Sequence, residues 1–260
     1  MITAGIDCGA KTIKTVIVRD GQIIANAIEI AGLDTAGATH RCFEKALAAA
    51  GIKREDIQKI IATGSGRKAA SGIANAEITE VTANARGAIY FYPNARTVID
   101  VGAEEGRAVK IDARGKVLDF ATNEKCAAGA GAFTEAMARA LEIPLTEFGA
   151  FSLKSTQSVP MNAQCAVFAE SEVVTLVHAK TPKEDIARAV MDAIASRIAS
   201  VVGRIGVEPE VVLIGGLSRN IGFVEALKRT LNINISVPQE PEFIGAAGAA
   251  LLAYDSGVVK

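Results

Sequence analysis

IDCGAKTIKTVIVRDGQII, residues 6–24, and IDVGAEEGRAVKIDARGKVL, residues 99–118, write one pattern twice. Ile6 aligns with Ile99, Asp7 with Asp100, Gly9 with Gly102, Ala10 with Ala103, Lys14 with Arg107 and Val16 with Val109. After one inserted residue Gly21 meets Gly115 and Ile23 meets Val117. Each copy reads as strand, I-D-x-G-A turn, strand, turn, strand. Asp20-Gly21 between two β-branched runs is a hairpin signal. A supersecondary unit that recurs in register is the mark of a duplicated domain. The expectation is an α/β protein of two lobes, one from residues 1–96 plus 240–260 and the other from 97–239, with the two copies facing each other across a cleft.

The repeated turn has a chemical reading. An aspartate at a strand end followed by x-Gly-Ala sets a carboxylate beside exposed backbone N–H groups. The missing side chain at Gly9 and Gly102 lets a phosphate approach the main chain. Asp7 and Asp100 repel phosphate themselves but can hold Mg²⁺ or its waters. In the first copy Lys11 adds a cation and Thr12 a hydroxyl, beside Ala10. Two such turns suit a polyphosphate, and a third glycine turn, Gly215-Gly216 after the run Val211 to Ile214, offers bare backbone to a flat adenine. Neither G-x-x-x-x-G-K-[ST] nor a strand followed by G-x-G-x-x-G is present.

The rest of the chain fits this frame. Residues 36–50 have apolar spacing at Cys42, Phe43, Ala46 and Leu47 and end on Gly51, a helix with a glycine stop. Ile57 to Ala62, Val98 to Val101, Ala108 to Ile111, Lys116 to Phe120 and Val211 to Ile214 read as short strands. Helices are expected near 131–141, 166–178, 183–205, 222–231 and 241–254. The small-residue run 245–250 reads as a close packing face. Strands of this length alternating with helices of 10–20 residues are the α/β layer pattern.

The 260 residues hold 28 basic and 29 acidic side chains. That balance argues against a strongly electrostatic nucleic-acid or membrane-surface binder. No apolar run approaches the roughly 18 residues of a membrane span. Asp7 follows Met1 too closely, with no basic region, for a signal peptide. A cytoplasmic setting is expected, and the four cysteines are then free thiols or ligands rather than bridges. Cys8 and Cys42 read as packing residues. Cys126 in KCAAGAG and Cys165 in AQCAVFA each precede an expected helix, where the partial positive charge of a helix start stabilises a thiolate. On residues alone, both are either such ligands or buried small hydrophobes. His40 and His178 read as surface or helix-end residues.

IDCGAKTIK, ATGSGR (62–67), VIDVGA, NEKCAAGAGAF (123–133), NAQCAVFAESEV (162–173), VVLIGGLSRN (211–220) and EFIGAAGAAL (242–251) together resemble the ATP-dependent activators of 2-hydroxyacyl-CoA dehydratases. They are equally similar to the ATP-binding subunits of class I benzoyl-CoA reductases and the reductases of double-cubane cluster proteins. The resemblance implies an actin/Hsp70/sugar-kinase (ribonuclease H-like) fold. It implies ATP and ADP binding with Mg²⁺, and a homodimer sharing one [4Fe–4S] cluster held by Cys126 and Cys165 of each chain. It further implies a ferredoxin or flavodoxin donor and a cysteine-rich iron–sulfur partner enzyme that receives a low-potential electron. Many activators carry G-G-Q-D-x-K at the second turn, whereas this chain has Gly102-Ala103-Glu104-Glu105-Gly106-Arg107. Asp100 and Glu104 are therefore the candidates for handling the hydrolytic water. The rival reading is a small-molecule kinase on the same fold. A nucleotide-switched chaperone lacks room for a peptide-binding domain.

Overall fold

The computed structural model describes residues 1–123, 129–161 and 166–258. Cys126 and Cys165 lie outside the described residues. In chain order the elements are β1 (Ile2–Cys8), β2 (Thr12–Arg19), β3 (Gln22–Ile30), α1 (Thr35–Ala50), β4 (Lys59–Thr63), β5 (Ala76–Glu77), α2 (Glu80–Phe91), β6 (Thr97–Val101), β7 (Gly106–Ile111), β8 (Val117–Thr122), α3 (Ala130–Ala140), α4 (Leu145–Ser152), α5 (Ala166–His178), α6 (Lys183–Ile205), β9 (Val211–Ile214), α7 (Ile221–Leu231) and α8 (Ile244–Val258). Among the described residues these strands form two sheets, ordered β3-β2-β1-β4-β5 and β8-β7-β6-β9.

The first sheet begins as the expected meander. Asp20 and Gly21 both take positive φ, 52° and 81°, the combination that a two-residue hairpin turn matched to strand twist requires. β1 then pairs with β4 in parallel, with Thr3 opposite Lys59 and Asp7 opposite Thr63. Alternate residues of β1 serve different layers. Ala4, Ile6 and Cys8 pack in a buried cluster with Ala38, Cys42, Phe43, Ala46 and Leu47 of α1. Burying Phe43 and Leu47 contributes about 1.5–3 kcal/mol each. Asp34 caps α1 by accepting the Gly37 N–H at 2.9 Å. Gly51 ends the helix in the left-handed region at φ 64°.

Thr3, Gly5 and Asp7 face the other way, toward α8. The Thr3 hydroxyl donates to the Ala250 carbonyl at 2.8 Å. A Cβ on Gly5 would lie 2.0 Å from the Ala246 carbonyl oxygen, and one on Gly248 would lie 1.8 Å from that of Ala83. The small residues of 245–250 therefore bring α8 into backbone contact with β1 on one side and α2 on the other. α2 has no counterpart among the helices expected from periodicity. Its buried face is Ala83, Asn84, Ala85, Gly87 and Ala88, small residues that write no apolar stripe.

Compactness divides the chain into Met1–Val98 with Val109–Asp119 and Pro238–Lys260, and Ile99–Ala108 with Phe120–Val237. The repeat pattern groups 109–119 with the second lobe. The structure ties it to the first unit: the Ile111 N–H donates to the Arg96 carbonyl at 2.9 Å, and Gly115 sits against Ile89 and Ala85 of α2. The second unit is organised around α6, whose buried Ile186, Val190, Ile194, Ile198 and Val202 recur every four residues. They share one core with Ile99, Val101, Phe133, Met137, Phe148, Leu213 and Phe223. No described helix is long and apolar enough to cross a membrane.

Candidate functional site

The two turns are built alike. In the first unit the Gly9 N–H donates to the Thr12 carbonyl at 3.1 Å, and in the second the Gly102 N–H donates to the Glu105 carbonyl at 2.9 Å. A Cβ on Gly9 would lie 3.0 Å from the Thr12 carbonyl oxygen. Behind each turn the aspartate is held by a cation seven residues on. Lys14 Nζ lies 3.4 Å from Asp7 Oδ2, and Arg107 Nη1 lies 3.2 Å from Asp100 Oδ2. Both pairs are largely buried, with side chains 9–14% exposed. Arg107 also pairs with Glu105. Sequence reasoning aligns Lys14 with Arg107 but gives the cationic role to Lys11, which sits exposed at the turn tip beside Ala10. The signal is nonetheless present: β1 and β2 pair antiparallel, and the register sets Lys14 opposite Asp7.

A second correspondence escapes the sequence pattern. β4 and β9 are each followed by a glycine with positive φ, Gly64 at 96° and Gly215 at 89°. A Cβ on Gly64 would lie 2.4 Å from the Cys8 carbonyl oxygen and 2.6 Å from Asp7 Oδ1. One on Gly215 would lie 2.5 Å from the Val101 carbonyl oxygen and 2.6 Å from Asp100 Oδ1. Each glycine thus lets one backbone lie on the aspartate-bearing strand end. Gly215 has to be small for that reason alone. Gly216 beside it has nothing within 4 Å of an added Cβ.

The second turn is fastened to α3. The Gly131 N–H donates to the Gly102 carbonyl at 3.2 Å and the Ala132 N–H to the Ala103 carbonyl at 3.1 Å. These are first-turn amides that a helix cannot satisfy internally. A Cβ on Gly129 would fall 2.0 Å from Glu104 Cα, and one on Gly131 would fall 2.9 Å from Ala103 Cα. At Gly129 the space a side chain would fill is taken by the main chain of Glu104. Within the second unit, Asp100, Gly102, Ala103, Glu104 and Gly215 therefore form one constellation. Glu104 is exposed at its tip, while Glu105 is engaged by Arg107. Within the first unit, Asp7, Gly9 to Thr12 and Gly64 form the counterpart.

Cys8 and Cys42 are packing thiols. Burial pushes the Cys8 thiol up to about 11, against a hydrogen bond with Thr39. Burial raises Cys42 as well, with Thr15 Oγ1 donating to its sulfur at 3.4 Å. His40 and His178 are exposed. Among the described residues no group of three or more His, Cys, Asp or Glu side chains is gathered as a metal site.

Residues 4–253 match the BadF/BadG/BcrA/BcrD ATPase family. The structure superimposes on the activator of the 2-hydroxyisocaproyl-CoA dehydratase from Clostridium difficile with bound ADPNP. The TM-score is 0.92 at 40% identity, over 98% of this chain and 95% of that one. On the Acidaminococcus fermentans (R)-2-hydroxyglutaryl-CoA dehydratase component A the TM-score is 0.94 at 35% identity, over 98% of both chains. A benzoyl-CoA reductase polypeptide from Thauera aromatica is 32% identical over 96% of this chain and 92% of its own. A ROK family glucokinase from Streptomyces griseus matches at TM-score 0.61 and 13% identity over 98% of this chain, which shows a shared sugar-kinase-type fold and nothing further.

Proposed function

This chain belongs to the BadF/BadG/BcrA/BcrD ATPase family, and on that premise we propose that it is an ATP-hydrolysing activator that delivers a low-potential electron to a partner acyl-CoA dehydratase or reductase. The observation that carries the reading is the doubled turn: two aspartates, each held by a buried cation and overlain by a positive-φ glycine, each followed by a turn closed by a glycine N–H. Such turns bind phosphate through main-chain N–H groups. Asp7, Gly9 to Thr12, Asp100 and Gly102 to Glu104 are the residues through which this chain handles ATP, with Gly215 and Gly216 toward the nucleoside. The kinase alternative is not favoured, since the sugar kinase is alike in fold at 13% identity while the dehydratase activator is 40% identical.

Mg²⁺ fits the first turn. Asp7 Oδ1 is buried and makes no hydrogen bond, while Oδ2 is held by Lys14. A carboxylate with one oxygen in reserve at a phosphate turn suits a metal's coordinated water. Bound there, Mg²⁺ would neutralise phosphate charge and polarise the scissile bond. Asp100 and Glu104 remain the candidates that orient the attacking water.

Cys126 and Cys165 are proposed as ligands of a [4Fe–4S] cluster, which would supply one-electron chemistry at low potential. Two ligands per chain make the homodimer the simplest way to reach four. Support comes from chain order: α3 begins four residues after Cys126, and α5 is described from the residue after Cys165. The hydrogen bonds from Gly131 and Ala132 to the second turn give a route by which nucleotide state biases α3. The donor is proposed to be a ferredoxin or flavodoxin. Anaerobically purified protein should be brown, and Cys126→Ala should remove both colour and partner activation while ADP still binds. A colourless wild type with full activating power would overturn the proposal.

A further inference from the structure

Thr63 is the last residue of β4 and is fully buried, yet its hydroxyl has no hydrogen-bond partner. Asp7 Oδ1 is the other carboxylate or hydroxyl oxygen found in that condition among the described residues. The two residues are direct partners in the parallel pairing of β1 with β4, so their side chains project from the same face of the sheet. That face meets α8, where a Cβ on Gly245 would lie 3.6 Å from Asp7 Oδ2. The start of a helix favours negative charge there. Lys14 already occupies Oδ2. Two neighbouring buried oxygens are left, one of which can only accept.

An unsatisfied buried oxygen is costly, and a native site that keeps two side by side is built for a ligand that supplies donors. Both atoms are closed off from bulk water, and a ligand that brings its own donor would satisfy both. At the matching strand end of the second unit the hydroxyl has no counterpart: β9 ends in Ile214 where β4 ends in Thr63, although Gly215 and Gly64 make the same contacts. The hydroxyl was therefore placed once, in the unit whose aspartate has an oxygen in reserve.

We propose that Thr63 is a positioning residue of the nucleotide site, its hydroxyl and Asp7 Oδ1 together receiving the two protons of one water from the hydration shell of Mg²⁺. The inference rests on the ATPase reading above. Mg²⁺ retains several waters when bound to nucleotide and protein, and such waters are strong donors. The threonine fixes where that water sits, and with it the metal relative to the phosphates.

The test is calorimetric titration of ADP into the full-length protein, with Mg²⁺ and with EDTA, for wild type, Thr63→Val and Thr63→Ser. The expected result is that Thr63→Val loses about tenfold of the gain in ADP affinity that Mg²⁺ confers. Affinity in EDTA should not change, and Thr63→Ser should keep the gain. A Mg²⁺ gain within about twofold of wild type in Thr63→Val overturns the proposal. Equal loss with and without Mg²⁺ also overturns it, since that marks a structural role. Without ligand, Thr63→Val should melt no lower than wild type, because it removes an orphaned hydroxyl from a strand. A clearly lower melting point would mean the hydroxyl already has a partner and would likewise overturn it. A wild type that binds no ADP would instead overturn the ATPase reading itself.

Discussion

Replacing Arg107 by Met leaves the Asp100 carboxylate in place and removes its cation at nearly constant volume. Arg107 is 9% exposed and Asp100 13% at the side chain, so the carboxylate that loses this cation stays out of water. Breaking a pair this buried costs about 3–5 kcal/mol. The Glu105 contact adds little, because Glu105 is half exposed and its pairing is screened. The expected loss is therefore about 3 kcal/mol. Arg107→Lys, which copies the Asp7–Lys14 pair, should lose about 1–2 kcal/mol, since an ammonium cannot fork between two carboxylates. The double variant Asp100→Asn with Arg107→Met should recover much of the loss, because no buried charge is left unpaired. Urea unfolding followed by far-UV circular dichroism reads the whole chain. The three tyrosines, Tyr90, Tyr92 and Tyr254, belong to the other unit, so their fluorescence separates that unit's unfolding from this one's. An Arg107→Met midpoint equivalent to less than about 0.5 kcal/mol at unchanged slope would refute the buried-pair reasoning. So would a double variant as unstable as Arg107→Met alone.

Gly64→Ala and Gly215→Ala should each lower stability by about 2–5 kcal/mol, combining backbone strain with a clash against a carbonyl. Gly32→Ala is the control, since its φ is 58° with nothing within 4 Å of an added Cβ; thermal melts that rank it equal to the other two would contradict this account. Cys8 and Cys42 should resist alkylation in the native protein at about pH 8 while reacting fully in urea, read by mass spectrometry. Because burial raises Cys8 to about 11 from 9.0, the unfolded thiol ionises first. Its contribution is complete below about pH 9 and is lost as pH rises toward about 11, on the order of 2–3 kcal/mol. Cys8→Ala should flatten that alkaline decline in a denaturation series, and an unchanged decline would contradict it.

What is legible in the sequence is what local periodicity encodes. The hairpin at Asp20-Gly21, α1 with its Gly51 stop and the long apolar stripe of α6 all depend on residues a few positions apart. The repeat exposes both aspartates and both turn glycines. The glycines at 64, 129 and 215 read differently, because each is required by backbone that arrives from a distant part of the chain. Gly64 answers to Cys8, Gly129 to Glu104 and Gly215 to Val101, and no spacing rule connects those pairs. Lys14 and Arg107 stand in the aligned repeat, but their partnership with the aspartates emerges only from strand register. α2 is hidden because small residues bury a helix face without an apolar stripe. Cys126 and Cys165 draw their meaning from resemblance, as a lone cysteine carries no ligand signal of its own.

α8 has a consequence for the order in which the protein is made. One face of the first sheet, bearing Thr3, Gly5, Asp7, Val16 and Val18, is covered by a helix encoded after residue 243. During synthesis that face stays bare while the whole of the Phe120–Val237 segment emerges. The second unit can therefore close before the first, against the usual N-terminal-first sequence. For that interval the nascent chain displays an apolar sheet face with the Gly9–Thr12 turn at its end, the state in which a chaperone would meet it. Asp7 is among the first residues made and among the last to be enclosed.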